Sequence, residues 1–268
     1  MTTSVCVAGA TGWTGRAVAE AILRAEDLTL LAAVARAAAG SDLGVAWGGS
    51  PIGVLVHGRV ADALDGVDVL VDFTSHDAVL DHVLTAIDRG VAVVVGTSGL
   101  TGDEYARIAT AAEKAGVGVV AAGNFSLTAA LAQAAALLVA PHLPHREVID
   151  YASDRKRDAP SGTARELAER LSAAGPAAPT VPVAGTAGHP EARGATIGAT
   201  QVHSLRLPSF TVSTEVIFAL PDERLVIRHD AGGSPAPYVA GTLMAVRAAP
   251  RRTGLVRGLD TLLLGPPV

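Results

Sequence analysis

The chain has 268 residues, of which 49% are hydrophobic, 18% charged and 3% aromatic, with a formal net charge of -5 at pH 7. This length suits one large domain or two modest ones, and the apolar content is ample for a buried core. The negative charge and the scarcity of aromatic side chains argue against nucleic acid as the main partner. Because Cys6 is the single cysteine and no Cys and His cluster has zinc spacing, we predict neither an intramolecular disulfide nor a metal site.

No segment indicates export or membrane insertion. Residues 1–5 lack the basic region and the longer apolar core of a signal peptide. The apolar stretch 127–140 is shorter than the roughly 18 to 20 uninterrupted residues that a membrane span needs. We therefore expect a cytoplasmic protein with no membrane partner.

Up to about residue 125, short β-branched runs alternate with alanine-rich helical stretches, which is typical of βαβ units and a parallel sheet. Runs that are apolar throughout suit strands covered on both faces. The predicted elements in chain order are a strand over 4–8, a helix over 15–24, strands over 28–34 and 67–73, a helix over 77–89, a strand over 91–95, a helix over 102–115 and a strand over 117–121.

After a predicted helix over 127–138, the chain changes to strand-like segments and proline-containing loops, which indicates a second domain. Short connections between the late strands favour a mixed, mostly antiparallel sheet. A final helix over 236–248 with a leucine-rich tail is compatible with either domain. The predicted elements of the second domain are strands over 146–153, 195–205, 209–218 and 223–229, a helix over 161–173 and a loop over 175–190.

A glycine-rich turn follows the first predicted strand. The sequence from Val5 to Arg16 places a strand, a turn with Gly9, Gly12 and Gly15, and then a helix. Gly9 and Gly12 allow the backbone to approach a pyrophosphate, and Gly15 allows the helix to pack tightly on the strand. A tight turn without a ligand is the alternative, but the flanking strand and helix favour a dinucleotide.

The end of the second predicted strand indicates which dinucleotide is bound. The run 32–36 ends in Arg36 and contains no acidic residue to accept hydrogen bonds from the ribose hydroxyls. Arg36 is suited to pair with a 2′-phosphate, and Arg16 adds positive charge nearby. We therefore predict NADPH in preference to NADH, with the alternative that Arg36 is a solvated surface residue.

Three further predicted strands end in small polar residues, in the sequences DFTS (72–75), GTSG (96–99) and GNFS (123–126). Because the carboxyl ends of parallel strands line the ligand crevice, we expect these loops to surround the nicotinamide. Together with KRDAPSGTA (156–164), they form a combination that resembles the dihydrodipicolinate reductases, properly 4-hydroxy-tetrahydrodipicolinate reductases of the lysine and diaminopimelate pathway. The resemblance covers nearly the whole chain, and the last motif is highly specific.

The resemblance implies an α/β fold with two domains. The first is a Rossmann-like dinucleotide-binding domain with a parallel sheet, over 1–125, with 235–268 packing back on it. The second, over 126–234, is a smaller α+β domain that binds a cyclic dicarboxylate substrate and builds a homotetramer. The predicted cofactor contacts are Gly9, Thr11, Gly12, Trp13, Thr14, Arg36, Phe73, Thr74, Gly96, Thr97, Ser98, Ala122, Asn124 and Phe125. The predicted substrate contacts are Thr97, Ser153, Ser161, Gly162 and Thr163.

The residues of the last motif agree with a substrate site. Ser161, Gly162 and Thr163 open a predicted helix, so their amides and hydroxyls form a carboxylate-binding cup, with an ordinary N-cap at Ser161 as the alternative. Lys156 is the predicted catalytic residue, because its ammonium group is suited to polarise the substrate and to supply a proton. The alternative for Lys156 is a salt bridge to a neighbouring aspartate.

The chain departs from the family pattern on the substrate side. Members carry two histidines in the pattern E-x-H-H-x-x-K, one of which is regarded as the general acid, whereas this chain has Ala152 and Ser153. Neither side chain is a good proton donor near neutral pH, and Tyr151 is a weaker candidate than Lys156. The family's R-x-G and G-E-H stretches are also changed, over 206–210 and 212–218, and its S-S-R stretch is replaced around 231–235.

We therefore predict an NADPH-dependent oxidoreductase that delivers hydride to a cyclic imine or a conjugated C=C or C=N amino-acid intermediate. Specialisation for secondary metabolism is one interpretation of the missing histidines. The alternatives are the standard reductase of lysine and diaminopimelate biosynthesis, and a non-catalytic homologue that binds the cofactor.

Overall fold

The computed structural model describes residues 2–178 and 181–265. No helix in this part of the chain is both long and apolar enough to span a bilayer. The helices and strands in chain order are β1 Thr3–Ala8, α1 Trp13–Arg24, β2 Leu28–Val34, α2 Leu43–Ala46, β3 Val56–His57, β4 Val69–Asp72, α3 His76–Asp88, β5 Ala92–Val95, α4 Gly102–Ala115, β6 Gly118–Ala121, α5 Leu127–Val139, β7 His145–Ala152, α6 Gly162–Ala174, β8 Ala195–Ile197, β9 Thr200–Arg206, β10 Val212–Leu220, β11 Glu223–Asp230, α7 Ala236–Ala248, β12 Gly254–Arg257 and α8 Leu259–Leu264.

The chain divides into two compact units. Unit 1 comprises Met1–Ser126 and Pro235–Val268, and unit 2 comprises Leu127–Ser234. Unit 1 contains a seven-stranded sheet in the order β12-β6-β5-β4-β1-β2-β3, in which every described pairing is parallel. The predicted Rossmann-like parallel sheet is therefore confirmed.

The strands at the centre of unit 1 are short and fully buried. All four residues of β4, of β5 and of β6 are buried, which explains why these strands consist of valine, alanine and leucine apart from Asp72 and Gly118. The helix α4 begins with a capping box between Thr101 and Glu104 and ends at Gly116, which has a φ of 68°. Strand β12, which the sequence patterns did not predict, pairs with β6 at the edge of the sheet.

Unit 2 contains a five-stranded mixed sheet in the order β11-β10-β7-β9-β8. The central strand β7 is antiparallel to β10 and parallel to β9, so the prediction of a mixed, mostly antiparallel sheet is confirmed. Burial alternates along β7, and its buried residues include Val148, Asp150 and Ala152. The helices α5 and α6 pack on the sheet with a core that includes Leu171 and Phe218.

The prediction of one strand over 195–205 is wrong. Two antiparallel strands, β8 and β9, occupy this stretch and are joined by a tight turn. Gly198, in the turn, has a φ of 59°, a left-handed conformation that interrupts a continuous strand. The sequence pattern missed the turn because a single glycine separates two β-branched runs.

Candidate active site

The glycine-rich turn leaves the start of α1 open to a phosphate. Helix α1 begins at Trp13, its N-cap Gly12 contributes no side-chain hydrogen bond, and its first turn contains no acidic residue. Gly9 has a φ of 81°, and a Cβ atom there would collide with the Phe73 carbonyl. A Cβ atom on Gly15 would collide with the Gly9 carbonyl. Because the first amides of a helix lack internal acceptors, this close-packed turn fits a pyrophosphate.

Two arginines predicted near the cofactor lie in different settings. Arg36 is exposed and follows β2 directly after Ala35. Arg16 donates from Nε to Glu20 Oε1 at 2.8 Å, and its guanidinium lies 5.3 Å from the ring centroid of Trp47. Trp47, which was not predicted as a site residue, donates from Nε1 to the carbonyl oxygen of Ala10 at 3.0 Å. Trp47 therefore joins the loop after α2 to the glycine turn and contacts Arg16.

Asp72, the last residue of β4, links two of the predicted cofactor loops. Its buried carboxylate accepts hydrogen bonds from Thr74 N at 3.0 Å, Thr74 Oγ1 at 2.7 Å and Thr97 Oγ1 at 2.6 Å. His82 Nδ1 lies 2.7 Å from Asp72 Oδ2. The hydroxyl of Thr97 also accepts a hydrogen bond from Thr74 N at 2.7 Å. Asp72 and His82 were not predicted as site residues, and they fix the loops that contain Thr74 and Thr97.

The third predicted cofactor loop packs on the first. The rings of Phe73 and Phe125 have centroids 6.0 Å apart in an edge-to-face arrangement. A Cβ atom on Gly96 would collide with the Phe73 ring, so the second loop, which contains Gly96, also packs closely on the first. Asn124 Oδ1 accepts a hydrogen bond from Ser126 N at 2.8 Å. The three loops therefore meet at the carboxyl ends of β4, β5 and β6. The other predicted cofactor residues lie on these loops, at Ser98 and Ala122, and on the glycine turn, at Thr11 and Thr14.

The predicted substrate cup lies at the start of α6 in unit 2. Ser161 caps the helix by accepting a hydrogen bond from Ala164 N at 3.3 Å. Its hydroxyl donates to Asp150 Oδ1 at 2.6 Å, and its amide donates to Asp150 Oδ2 at 2.8 Å. Ser161 is buried and its hydroxyl is bound to Asp150, so it positions the start of the helix. Gly162 and Thr163 occupy the first two helical positions.

The segment before this helix contains Lys156. Its Nζ lies 2.9 Å from Asp158 Oδ1, with 26% of the lysine side chain exposed, so the salt bridge considered as the alternative is present. Ser153 Oγ donates to Asp154 Oδ1 at 3.1 Å and accepts a hydrogen bond from Arg155 N at 3.3 Å. Because Asp158 is exposed, its ion pair with Lys156 remains in contact with solvent, where such pairs contribute little stability.

Tyr151, the weaker candidate for proton donation, belongs to the opposite face of β7 from Asp150. Its ring packs against Phe210 at 5.0 Å, and its hydroxyl lies 3.4 Å from Glu215 Oε2. Burial and the negative charge of Glu215 raise the pKa of Tyr151 above its ordinary value. The structure therefore offers no support for Tyr151 as the proton donor.

Comparisons with known proteins place this geometry in a family. The models for the N-terminal and C-terminal parts of dihydrodipicolinate reductase match residues 3–125 and 124–263. The 4-hydroxy-tetrahydrodipicolinate reductase of Synechococcus elongatus is 40% identical over 269 residues, which cover 97% of this chain and 98% of that protein. The chain belongs to the dihydrodipicolinate reductase family. It is thus an NAD(P)H-dependent oxidoreductase.

Further relatives support the assignment of the chain to the dihydrodipicolinate reductase family. The 4-hydroxy-tetrahydrodipicolinate reductase of Moorella thermoacetica is 37% identical, with 98% of both chains covered. A solved dihydrodipicolinate reductase from Paenisporosarcina sp. TG-14, with dipicolinate bound, is 26% identical with a TM-score of 0.76, and the match covers 97% of this chain and 99% of that one. An amine dehydrogenase from Mycobacterium smegmatis, 14% identical with a TM-score of 0.63, covers 95% of this chain and 94% of that one and shows a shared fold alone.

Proposed function

We propose that the chain is a 4-hydroxy-tetrahydrodipicolinate reductase, which reduces a cyclic dicarboxylate that contains a C=N or conjugated C=C bond. The observation that carries this proposal is the start of α6, where Ser161 and Asp150 hold Gly162 and Thr163 at the first helical positions. A helix start of this kind binds a carboxylate through its amides and its dipole. The dipicolinate in the related structure is a cyclic dicarboxylate, which is the ligand class proposed for this site.

The proposed cofactor is NADPH, with NADH as the weaker alternative. NADPH supplies the hydride when it is bound. The glycine turn would hold the pyrophosphate, and exposed Arg36 would pair with the 2′-phosphate that distinguishes NADPH from NADH. The loops fastened by Asp72 would orient the nicotinamide ring.

Cofactor preference is tested by the Arg36→Ala variant, with Arg24→Ala as the matched control because Arg24 is an exposed arginine at the end of α1. We expect the Kd of NADPH to rise by about 10-fold for loss of one charge-assisted contact, with the Kd of NADH unchanged. The control is expected to leave both constants unchanged. Equal weakening of NADH and NADPH would contradict pairing of Arg36 with the 2′-phosphate.

In the proposed reaction, Lys156 polarises the substrate and supplies the proton that accompanies the hydride. The lysine side chain is 26% exposed and its Nζ is paired with exposed Asp158, so solvent can replace a donated proton. The test measures NADPH oxidation with freshly generated 4-hydroxy-tetrahydrodipicolinate. We expect Lys156→Ala to lower kcat by about 10² to 10⁴, as loss of a general acid does. Exposed Lys114 provides the control, and Lys114→Ala is expected to retain full activity.

A second candidate function is a reductase specialised for a related cyclic imine of secondary metabolism. Ala152 is buried at the end of β7, and Ser153 is hydrogen bonded within its own segment, so neither replaces an imidazole as an acid. Absence of turnover with the standard substrate, together with intact NADPH binding, would favour this candidate. Turnover of no imine at all would favour a non-catalytic cofactor-binding homologue.

We also propose that the protein works in the cytoplasm as a homotetramer, the assembly that the family resemblance implies for the second domain. Unit 2 supports this proposal because β10 and β11 expose apolar side chains, among them Leu220 and Val226. Sedimentation velocity measures the assembly directly. A monomer or dimer over the concentrations used for the activity assay would contradict the tetramer.

A further inference from the structure

Asp150 lies beneath the proposed substrate segment and has no exposed surface. Its carboxylate accepts four hydrogen bonds: two from Ser161, one from Ser204 Oγ at 3.0 Å and one from Arg206 Nη2 at 2.8 Å. Oδ2 accepts three of these bonds and Oδ1 accepts one, so internal donors hold both oxygens of the buried carboxylate. Asp150 therefore acts on its neighbours and makes no contact with a substrate.

Arg206 extends this network to the other end of the segment. Besides its bond to Asp150, Nη2 donates to the carbonyl oxygen of Asp158 at 2.6 Å. Asp150 belongs to β7 and Arg206 to the neighbouring strand β9, where Arg206 pairs with Ala152 in the parallel register. Residues 158 and 161 are thus hydrogen bonded to side chains of two neighbouring strands. The side chain of Asp158 contacts Lys156, so the network also fixes the main chain next to the proposed catalytic residue.

The ion pair between Asp150 and Arg206 also offsets the negative charge that the buried carboxylate places beside the start of α6. A buried carboxylate beside the start of α6 would repel an anionic substrate and would itself be costly to bury. The guanidinium of Arg206, with 17% of its side chain exposed, neutralises this charge at 2.8 Å. The amides of the first helical turn therefore remain attractive to a substrate carboxylate.

We propose that Asp150 and Arg206 are positioning residues, which set the path of residues 156–163 and neutralise the charge beneath it, so that Gly162, Thr163 and Lys156 face the substrate. The inference rests on the proposed function, because it assumes an anionic substrate at the start of α6. Its structural part, the fixing of residues 158–161 by Arg206, is independent of what the site binds.

The test compares Arg206→Met with Arg206→Lys, which retains the charge. Arg206→Met removes the cation but keeps an extended side chain, and we expect the KM of the dicarboxylate to rise by about 10- to 100-fold, the scale of a misplaced binding group. We expect the KM of NADPH to change less than twofold, because the cofactor turn belongs to unit 1. Arg206→Lys is expected to recover part of the loss through one bond to Asp150.

Arg193→Met is the matched control. Arg193 Nη2 pairs with Glu147 Oε1 at 2.7 Å in the same unit, on the other face of β7. Its loss removes an arginine–carboxylate pair of similar length without touching residues 156–163. We expect an unchanged KM for the dicarboxylate. An equal rise in Arg193→Met and Arg206→Met would overturn the proposal, as would an unchanged KM in folded Arg206→Met.

A second readout separates this inference from the proposed function. Amide hydrogen exchange of residues 158–164 should accelerate in Arg206→Met and stay at the wild-type rate in Arg193→Met. Wild-type protein that neither turns over the dicarboxylate nor binds dipicolinate would contradict the proposed function, whereas unchanged exchange would overturn the positioning role. If Arg206→Met does not fold, Arg206→Lys decides: a raised dicarboxylate KM with normal NADPH binding supports the proposal, and a wild-type KM overturns it.

Discussion

Two buried aspartates at strand ends hold the loops of the two units in different ways. Asp72 ends β4 in unit 1, and its partners are hydroxyls, an amide and the imidazole of His82. Asp150 lies near the end of β7 in unit 2, and its partners include the guanidinium of Arg206. Both carboxylates are fully buried. Only the charge of Asp150 is opposed by a permanent cation.

This difference predicts how strongly the charge of each aspartate acts on groups beyond its hydrogen-bond partners. Hydrogen-bond donors without full charge satisfy the oxygens of a carboxylate but leave part of its field, whereas a contacting cation cancels it. The pKa of buried Cys6, in the strand beside β4, is raised by burial and by the charge of Asp72. The charge of Asp72 therefore acts on groups of unit 1 beyond its hydrogen-bond partners, whereas the charge of Asp150 is offset within its ion pair with Arg206.

The largest expected effect comes from removing the two carboxylates in turn. Asp150→Ala leaves the charge of Arg206 uncompensated, and we expect it to lower the free energy of unfolding by about 3 to 5 kcal/mol. Asp72→Ala leaves only neutral donors and an imidazole, and we expect a loss of about 1 to 3 kcal/mol. Urea denaturation measures both changes. Equal losses would show that the permanent cation does not distinguish the two sites.

The next effect concerns a second means of fixing loops in unit 1, which is close backbone contact. Gly9 and Gly53 have φ values of 81° and 80°, but a Cβ atom would collide with the Phe73 carbonyl only at Gly9. We expect Gly53→Ala to cost about 1 kcal/mol for the left-handed conformation, and Gly9→Ala about 2 kcal/mol more for the clash. Thermal unfolding and NADPH affinity check this, and similar costs at both glycines would contradict the close packing.

A smaller effect is expected from the coupling between Asp72 and His82, which lie 2.7 Å apart. A double-mutant cycle with Asp72→Asn and His82→Leu is expected to give a coupling energy of about 1 kcal/mol. The corresponding cycle for Asp150 and Arg206 is expected to give about 2 to 3 kcal/mol. If the first coupling exceeds the second, the imidazole compensates Asp72 better than the guanidinium compensates Asp150.

The sequence patterns predicted the backbone features of the site better than its polar networks. The parallel sheet and the glycine turn follow from local signals, namely β-branched runs and glycine spacing. Arg206 was not predicted as a partner of Asp150 because the two residues are 56 positions apart and meet only when β7 and β9 pair. The role of Ser161 was predicted only in part, since its N-cap is local but its bond to Asp150 depends on the tertiary fold.

Cys6 serves as a reporter of the Asp72 charge through the pH dependence of stability. Burial and Asp72 raise the pKa of Cys6 from 9.0 to about 12. Between these values the unfolded chain loses the thiol proton while the folded chain keeps it, so stability falls as pH rises, by up to about 1.4 kcal/mol per pH unit. We expect the Cys6→Ala variant to lack this part of the alkaline destabilisation. Urea denaturation from pH 8 to about pH 11 measures it.

The Asp72→Asn variant then separates the two causes of the shift. Burial of Cys6 remains, but the charge is gone, so we expect the folded-state pKa of Cys6 to fall below that of the wild type while staying above 9.0. The alkaline loss of stability should therefore end at a lower pH than in the wild type. An Asp150→Asn variant is the control, and it should leave this window unchanged because Asp150 belongs to unit 2. If the pH range of this stability loss is unchanged in Asp72→Asn, His82 and the hydroxyls neutralise the charge of Asp72 as fully as Arg206 neutralises that of Asp150.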